Sequence, residues 1–399
     1  MAQTRAVNTN HVRDARPVLA TTINTNSPMR GKQAVLVAFA LLICTIVLGA
    51  GSAQAGVRDD NDGAVFVMTN AADKNEIVAY DRAEDGSLRA VGSFATGGTG
   101  SGGTIDPLRS QGSLLLSGDH RFLFAVNAGS GTVSAFAVRG SNLRLLSVKS
   151  SGGSSPIALA QSGDLLYALN IGGNGNVSGF FIDDGRLRPI RNSNRNLSGT
   201  DTGASSLAFS PDRQHLVVTE RTTNKIDVYR VSFDGTLSSA VVSPSSGAVP
   251  FAAKFAPNGA LVIAEASNSI SSYAVQPDQT LAVITPSLPS LGAATCWNVI
   301  TPNGRYVYTS NAGTSSLSGF LIGRRGALSP IGATVVATNP TGSTNLDITV
   351  SADGKFIYTL NAGTGAIGIF SADRDGSVLS LGTVDGLPAA AGLNGIAAF

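Results

Sequence analysis

Short apolar segments bounded by turn residues recur along the chain, and one copy of this unit is especially clear. Residues Asn303–Phe320 read NGRYVYTSNAGTSSLSGF, which predicts a turn, a strand, a second turn and another strand. Asn and Gly accept the positive φ that tight turns demand, and β-branched and aromatic runs favour extended backbone. Six similar units occur at Gly63–Tyr80, Asp119–Phe136, Gly163–Phe180, Asp212–Tyr229, Asn258–Val275 and Asp353–Phe370. Seven predicted hairpins therefore organise the sequence.

The spacing of these hairpins predicts the fold. The residue that ends the first strand of each hairpin recurs every 43 to 57 residues, at Asn70, Asn127, Asn170, Glu220, Glu265, Asn311 and Asn361. An apolar strand before the hairpin and a Gly-x-Leu type of strand after it give four strands per repeat, which is the period of a propeller blade. We predict an all-β chain in which residues 56–399 form a seven-bladed β-propeller of four-stranded antiparallel blades, an architecture that leaves only short sheet edges.

The two ends of the predicted propeller suggest how the ring closes. The first repeat begins at its second strand, because no apolar strand precedes Asp62-Gly63. The last residues, Gly392–Phe399, read GLNGIAAF and resemble the missing strand. We predict that they pair with Val65–Met68 as the innermost strand of the first blade.

The N-terminal region carries the pattern of an export signal. Arg30 and Lys32 precede an apolar run over residues 34–50, and Ala53-x-Ala55 follows it. This order predicts an N-terminal tail and secretion signal over residues 1–55, cleavage after Ala55 and a secreted or periplasmic protein. An uncleaved membrane anchor is the alternative, since about 17 apolar residues reach the lower limit for spanning a bilayer.

Composition narrows the classes of partner. Charged residues make up only 14% of the chain, glycines number 47, and the net charge is +2, so no basic field for nucleic acid is expected. Cys44 and Cys296 are the two cysteines, and the three histidines are far apart in sequence. The sequence therefore predicts no disulfide in the mature chain and no Cys/His metal site. We also expect no cofactor and a monomer.

Four long connections that precede inner strands are expected to gather at one mouth of the central channel. They are Thr96–Gln111, Asn192–Ala204, Thr285–Thr295 and Ala337–Asn345, and loops of this length are often functional. At the same mouth Glu220 and Glu265 stand where the other five repeats carry Asn. They are candidates for a general acid/base pair or a cation site. The alternative is that Glu220 pairs with Arg221 or Lys225 and that Glu265 is a solvated turn residue.

Trp297 is the only tryptophan, and it follows Cys296 at the start of a predicted inner strand. Its indole is a candidate stacking platform for a ring-shaped ligand. Ordinary packing between blades is the alternative interpretation.

The repeat motif carries a family resemblance. Its residues include Ser351-Ala352-Asp353-Gly354-Lys355, Tyr358, Asn361-Ala362-Gly363, and Ser210-Pro211-Asp212 with Tyr229. The motif resembles that of the seven-bladed lactonase propeller family, which includes 6-phosphogluconolactonase-like proteins, fungal-type 3-carboxymuconate lactonising enzymes and similar YVTN-type repeat proteins. The resemblance covers Asp62–Phe399.

The resemblance also implies positions for a site. The family tends to place Arg-His at the start of an inner strand, where this chain has Ser205-Ser206, Cys296-Trp297 and Leu346-Asp347. The family also tends to place Asn-Glu at the end of the following strand, where this chain has Glu220-Arg221. By this resemblance Glu220, with Glu265, would activate water, and Arg221 would hold a substrate carboxylate or stabilise an oxyanion. Trp297 and Asp347 are the substrate-binding candidates.

Two functions follow from these observations, and the residues leave both open. The first is an exported lactonase-like enzyme acting on a sugar-acid or muconate-type lactone, or on the related organic acid. The second is a non-catalytic propeller outside the cytoplasm that binds a small molecule, a glycan or a protein through its loop-rich face.

Overall fold

The computed structural model describes residues 63–399, which form seven antiparallel sheets. The tail, the export signal and the domain boundary predicted around residue 55 lie outside the described residues. Within residues 63–399 no helix is long and apolar enough to cross a membrane.

Each sheet has a first, second, third and outer strand in that spatial order. The first strands are β29 (Ile396–Ala398), β4 (Leu114–Leu116), β8 (Pro156–Ser162), β13 (Ala204–Phe209), β17 (Pro250–Phe255), β21 (Thr295–Ile300) and β25 (Asn345–Val350). The second strands are β1 (Gly63–Met68), β5 (Phe122–Asn127), β9 (Leu165–Asn170), β14 (His215–Glu220), β18 (Leu261–Glu265), β22 (Tyr306–Asn311) and β26 (Phe356–Asn361). The third strands are β2 (Glu76–Arg82), β6 (Thr132–Arg139), β10 (Asn176–Asp183), β15 (Lys225–Arg230), β19 (Ser269–Val275), β23 (Ser316–Ile322) and β27 (Ala366–Ala372). The outer strands are β3 (Leu88–Ala95), β7 (Asn142–Ser150), β11 (Arg186–Pro189), β16 (Val241–Pro244), β20 (Leu281–Pro289), β24 (Leu328–Thr338) and β28 (Val378–Asp385). A short strand, β12 (Arg195–Asn196), also pairs with β10.

The sheets are the blades of a ring. The first strands of neighbouring blades contact one another all the way round, from β4 through β8, β13, β17, β21 and β25 to β29 and back to β4. These strands therefore line a central channel, and the predicted seven-bladed propeller is confirmed. We call the end of the channel where first strands begin the long-loop face, and the other end the hairpin face.

The ring closes as the sequence predicts. Strand β29 pairs with β1 in the register Val65↔Ala398, Phe66↔Ala397 and Val67↔Ile396. The N–H of Phe399 donates to the Ala64 carbonyl at 3.0 Å, and the Ala64 N–H donates back at 3.2 Å. The C-terminal strand is therefore the innermost strand of the first blade.

The repeat motif forms the turn between the first and second strands. In blade 7 the Ser351 hydroxyl donates to the Asp353 carboxylate at 2.5 Å, which also accepts from the Lys355 N–H at 3.1 Å. Gly354 takes a φ of +72°, and its N–H donates to the Ser351 carbonyl at 2.8 Å. The motif residues are thus turn formers, which explains why they recur with the fold.

A tyrosine on the second strand ties some blades to the next one. The hydroxyl of Tyr358 in blade 7 donates to the Gly86 carbonyl in blade 1 at 3.0 Å. Gly86 has a φ of +84°, and a Cβ there would lie 2.3 Å from the Phe356 ring, so this position requires glycine. Tyr167 and Tyr308 make the same bond to Gly235 and Gly376.

Three of the predicted long connections are partly strand. Strand β20 continues to Pro289 and β24 to Thr338, so the connections after them are shorter than expected. Strand β12 lies within the connection predicted at Asn192–Ala204. The fourth connection, Thr96–Gln111, has no strand after Ala95 and is the one that enters the channel.

Candidate functional site

Residues 106–111, which we call the channel plug, close the central channel from the long-loop face. The plug hydrogen-bonds to four different blades. The bonds run from Ser110 Oγ to Ile157 O (2.8 Å), from Gln111 N to Ser205 O (3.0 Å), from Trp297 Nε1 to Ser110 O (2.9 Å) and from Leu108 N to Asn394 Oδ1 (3.3 Å). These contacts hold the segment against the inner strands, so the plug is a built part of the channel.

Gln111 is the deepest residue of the plug. Its Nε2 donates to the Asn298 carbonyl at 2.9 Å and to Asp347 Oδ1 at 2.8 Å, and its Oε1 accepts from the Asn298 N–H at 3.2 Å. All three residues are buried. The amide therefore separates the long-loop end of the channel from its hairpin end.

The plug presents charged residues at the long-loop mouth. Asp106 and Arg109 lie at its outer end, and Arg221 and Cys296 come from blades 4 and 6. Burial raises the pKa of Asp106 to about 7. The hydrogen bond from Asn394 Nδ2 to Asp106 Oδ1 (3.2 Å) and the charges of Arg221 and Arg109 oppose this shift. Burial also raises the pKa of the Cys296 thiol to about 12, with Asp106 adding to the rise and Arg221 opposing it.

Both guanidinium groups at this mouth have free hydrogen-bonding capacity. Within residues 63–399 neither the Arg109 nor the Arg221 side chain donates a hydrogen bond, and Arg221 Nε is buried without a partner. Burial lowers the pKa of Arg221, and the positive charge of Arg109 adds to this effect. The exposed guanidinium of Arg109 and the guanidinium of Arg221, whose Nε is buried without a partner, form with Asp106 a site that suits an anionic ligand.

Glu220 lies in a buried acidic pair with Asp227. Its carboxylate accepts from the Ser198 N–H (3.0 Å), the Ser198 hydroxyl (2.6 Å) and the Thr223 hydroxyl (2.7 Å). Asp227 accepts from the same Ser198 N–H at 3.1 Å and from Tyr229 at 3.3 Å. Burial, followed by the charge of Glu220, raises the pKa of Asp227. Glu220 does not form the alternative pair with Arg221 or Lys225.

Glu265 is also fully buried, so the alternative of a solvated turn residue is wrong. Its carboxylate accepts from the Gly247 N–H (3.0 Å), the Ser271 hydroxyl (2.5 Å) and the Ser269 hydroxyl. Burial raises its pKa, and these hydrogen bonds oppose the shift. The carboxylate thus connects the end of β18 to β19 and to the loop that precedes β17.

Asn residues at the equivalent position of other blades make the same kind of connection. The Asn311 amide donates to the hydroxyls of Ser316 (3.1 Å) and Ser318 (2.8 Å), and Asn127 donates to Thr132 (3.0 Å) and Ser134 (2.8 Å). Glu220 and Glu265 therefore occupy a structural position of the repeat. Their predicted catalytic role stays a prediction, and the structure gives each a complete set of hydrogen-bond donors.

The two substrate-binding candidates lie inside the ring. Trp297 is 1% exposed, packs edge-on against Phe251 with ring centroids 5.1 Å apart, and supports the plug through its indole N–H. This environment agrees with packing between blades. Asp347 is 3% exposed and lies on the hairpin side of Gln111, where burial raises its pKa to about 6 and Lys254 opposes the rise.

Sequence reasoning named Arg221 as a candidate and did not name Asp106 or Arg109. These two residues lie outside the repeat, and both take positive φ values, 47° and 49°, in the loop. The available signal was the length of Thr96–Gln111, the longest of the four predicted connections. Within residues 63–399 no group of three or more His, Cys, Asp or Glu side chains could hold a metal ion.

Comparisons with known proteins agree with this architecture. Residues 174–299 match the family described as "Lactonase, 7-bladed beta-propeller". No curated protein matches the chain. A candidate 6-phosphogluconolactonase from Bacteroides uniformis superposes with a TM-score of 0.66 at 20% identity, covering 86% of this chain and 100% of its own.

Two further solved structures share the ring. A candidate 6-phosphogluconolactonase from Bacteroides fragilis has a TM-score of 0.65 at 18% identity, covering 85% of this chain and 98% of its own. The periplasmic gluconolactonase of Pseudomonas aeruginosa has a TM-score of 0.61 at 20% identity, covering 84% and 99%. At these identities the likeness concerns the fold, and the family match covers residues 174–299. The chain is a seven-bladed β-propeller, and its residues 174–299 match the seven-bladed lactonase family.

Proposed function

We propose that the chain hydrolyses a lactone that bears a carboxylate or phosphate group, at the long-loop mouth of the channel. The observation that carries this proposal is the meeting of Asp106 with the guanidinium groups of Arg109 and Arg221, which make no hydrogen bond within residues 63–399. Burial raises the pKa of Asp106 to about 7. A general base works best when its pKa lies near the working pH. The family match and the gluconolactonase among the structural relatives support a lactone as the substrate.

Each residue has a defined role in the proposed reaction. The Asp106 carboxylate takes a proton from water, whose oxygen attacks the lactone carbonyl. One guanidinium group binds the anionic substituent, and the other stabilises the oxyanion of the tetrahedral intermediate. The ring C–O bond then breaks, and Asp106 returns the proton to the leaving alkoxide. The product is the hydroxy acid, and no further reactant is consumed.

The cellular location belongs to the same proposal. The predicted export signal ends at Ala55, and one structural relative is a periplasmic gluconolactonase. We therefore propose a secreted or periplasmic monomer that acts on a small-molecule lactone.

The test is lactone hydrolysis by the purified chain, corrected for the spontaneous rate in buffer. The panel contains glucono-δ-lactone, its 6-phosphate and a muconate-type lactone. Asp106→Asn should lower kcat by about 10²–10⁴-fold, the usual range for loss of a general base. Asp201→Asn is the control, because Asp201 is an exposed acid of another connection before an inner strand.

The pH profile provides a second readout. Activity should rise as the pH increases through about 7, because the base must lose its proton, and this limb should be absent in Asp106→Asn. A large loss in Glu220→Gln with none in Asp106→Asn would instead identify Glu220 as the base. No turnover of any lactone would contradict hydrolysis and favour the non-catalytic binding propeller.

A further inference from the structure

The hairpin end of the channel holds a cavity. Its volume is about 240 Å³, room for roughly eight water molecules at about 30 Å³ each. Gln111 lies at its inner end and His120 at its rim, where the imidazole stacks on Phe399 with ring centroids 5.3 Å apart. The plug therefore separates this cavity from Asp106 and Arg221.

Lys254 is the cationic side chain within this cavity. Its ammonium group makes no hydrogen bond, and no ion pair shorter than 4 Å, with any residue of 63–399. The Asp347 carboxylate acts on it only at longer range, and burial lowers the pKa of Lys254. Lys254 is half-buried, so an acceptor that enters the cavity can reach its ammonium group, which has three unused donors.

Both carboxylate oxygens of Asp347 already accept hydrogen bonds from the protein. Its Oδ1 accepts from Gln111 Nε2 (2.8 Å) and from the Ile348 N–H (2.9 Å), and its Oδ2 accepts from the Ile396 N–H (3.4 Å). The unused charged donor of the cavity is thus Lys254, which favours an anion over a cation.

The walls and the size of the cavity narrow the class of anion. Leu114–Leu116, Val299 and Ile396–Ala398 supply apolar surface along the channel. The volume lies below the roughly 300–1,000 Å³ typical of sites for drug-sized ligands. An anionic head group on a short apolar chain fits both features.

We propose that this cavity, the channel anion site, binds a small carboxylate whose head group pairs with the Lys254 ammonium and whose carbon chain lies against Leu114–Leu116 and Ile396–Ala398. The channel anion site is independent of lactone hydrolysis. A ligand enters from the hairpin face, past His120.

The test is a ¹⁹F NMR titration of the full chain with trifluoroacetate at pH 7.5, followed by competition with acetate and with inorganic phosphate. We expect saturable binding that acetate reverses. Lys254→Met should weaken binding at least tenfold, whereas Lys149→Met, which changes an exposed lysine on an outer strand, should leave it unchanged. If Lys254→Met does not fold, Lys254→Gln, which also removes the charge, takes its place.

Asp347→Asn tests the sign of the ligand charge. Removing the neighbouring negative charge should strengthen trifluoroacetate binding several-fold. Arg221→Lys should leave the Lys254-dependent component of binding unchanged, which separates this proposal from the one for the long-loop mouth. Absence of saturable binding, insensitivity to Lys254→Met, weaker binding in Asp347→Asn, or displacement by phosphate but not acetate would each overturn the proposal.

Discussion

Removal of Leu393–Phe399 takes away the innermost strand of the first blade and leaves every other blade intact. Leu393 is fully buried and Ile396 is 4% exposed. Burial of each such side chain contributes about 1.5–3 kcal/mol. Four backbone hydrogen bonds from this segment to Ala64 and Met68 add about 0.5–1.5 kcal/mol each.

The combined loss is roughly 5–12 kcal/mol, which is comparable to the whole free energy of unfolding of a typical protein, about 5–15 kcal/mol. The truncated chain should therefore lack a cooperative unfolding transition, or lose most of its stability. Urea unfolding followed by fluorescence measures this directly, because Trp297 is the only tryptophan and is buried between blades.

Point variants make the prediction quantitative. Ile396→Ala should lower the free energy of unfolding by about 2–5 kcal/mol, because it leaves a cavity against β1. Leu379→Ala is the control, since Leu379 is 64% exposed on an outer strand and its truncation should change stability by at most about 0.5 kcal/mol. Equal unfolding midpoints for the truncated and full-length chains would refute the closure argument, and so would equal effects of the two alanine variants.

Three further predictions concern the channel and the buried acids. Gln111→Ala should lower the free energy of unfolding by about 1–3 kcal/mol in urea titrations, since it leaves the buried Asn298 N–H unpaired. Gln276→Ala, which changes a partly exposed turn, is the control. Equal effects of the two variants would contradict the structural role of the plug. Because the pKa of Asp227 is raised above 3.8, the folded chain holds this proton to higher pH than the unfolded chain, so stability should fall as the pH rises above about 4. Asp227→Ser should flatten that dependence between pH 4 and 9, and an unchanged slope would refute the assignment. Cys296, with a thiol pKa of about 12 and 8% exposure, should be alkylated only in denaturant, as peptide mass spectrometry would show; rapid labelling of the native chain would contradict its burial.

The local signals in the sequence predicted the architecture well. The turn residues of each hairpin, such as Asp353 and Gly354, form hydrogen bonds with residues only a few positions away. They can therefore be recognised in the sequence without knowledge of the rest of the fold. The count of seven hairpins and the unpaired apolar segment ending at Phe399 then led to the closed ring. The family resemblance also named Arg221 as a candidate.

The positions of the chemical groups depended on the tertiary structure. Asp106 and Arg221 are 115 residues apart in sequence, and only the closed ring and the inward path of the plug bring their charges together. Glu220 and Glu265 stand out in the sequence as departures from Asn, yet they are buried where the repeat needs a polar connection between strands. The sequence by itself determined the blades and their closure, because turns and strand periods are local. Only the tertiary structure decided which charges meet at the long-loop mouth, because burial and long-range hydrogen bonds leave no periodic pattern in the chain.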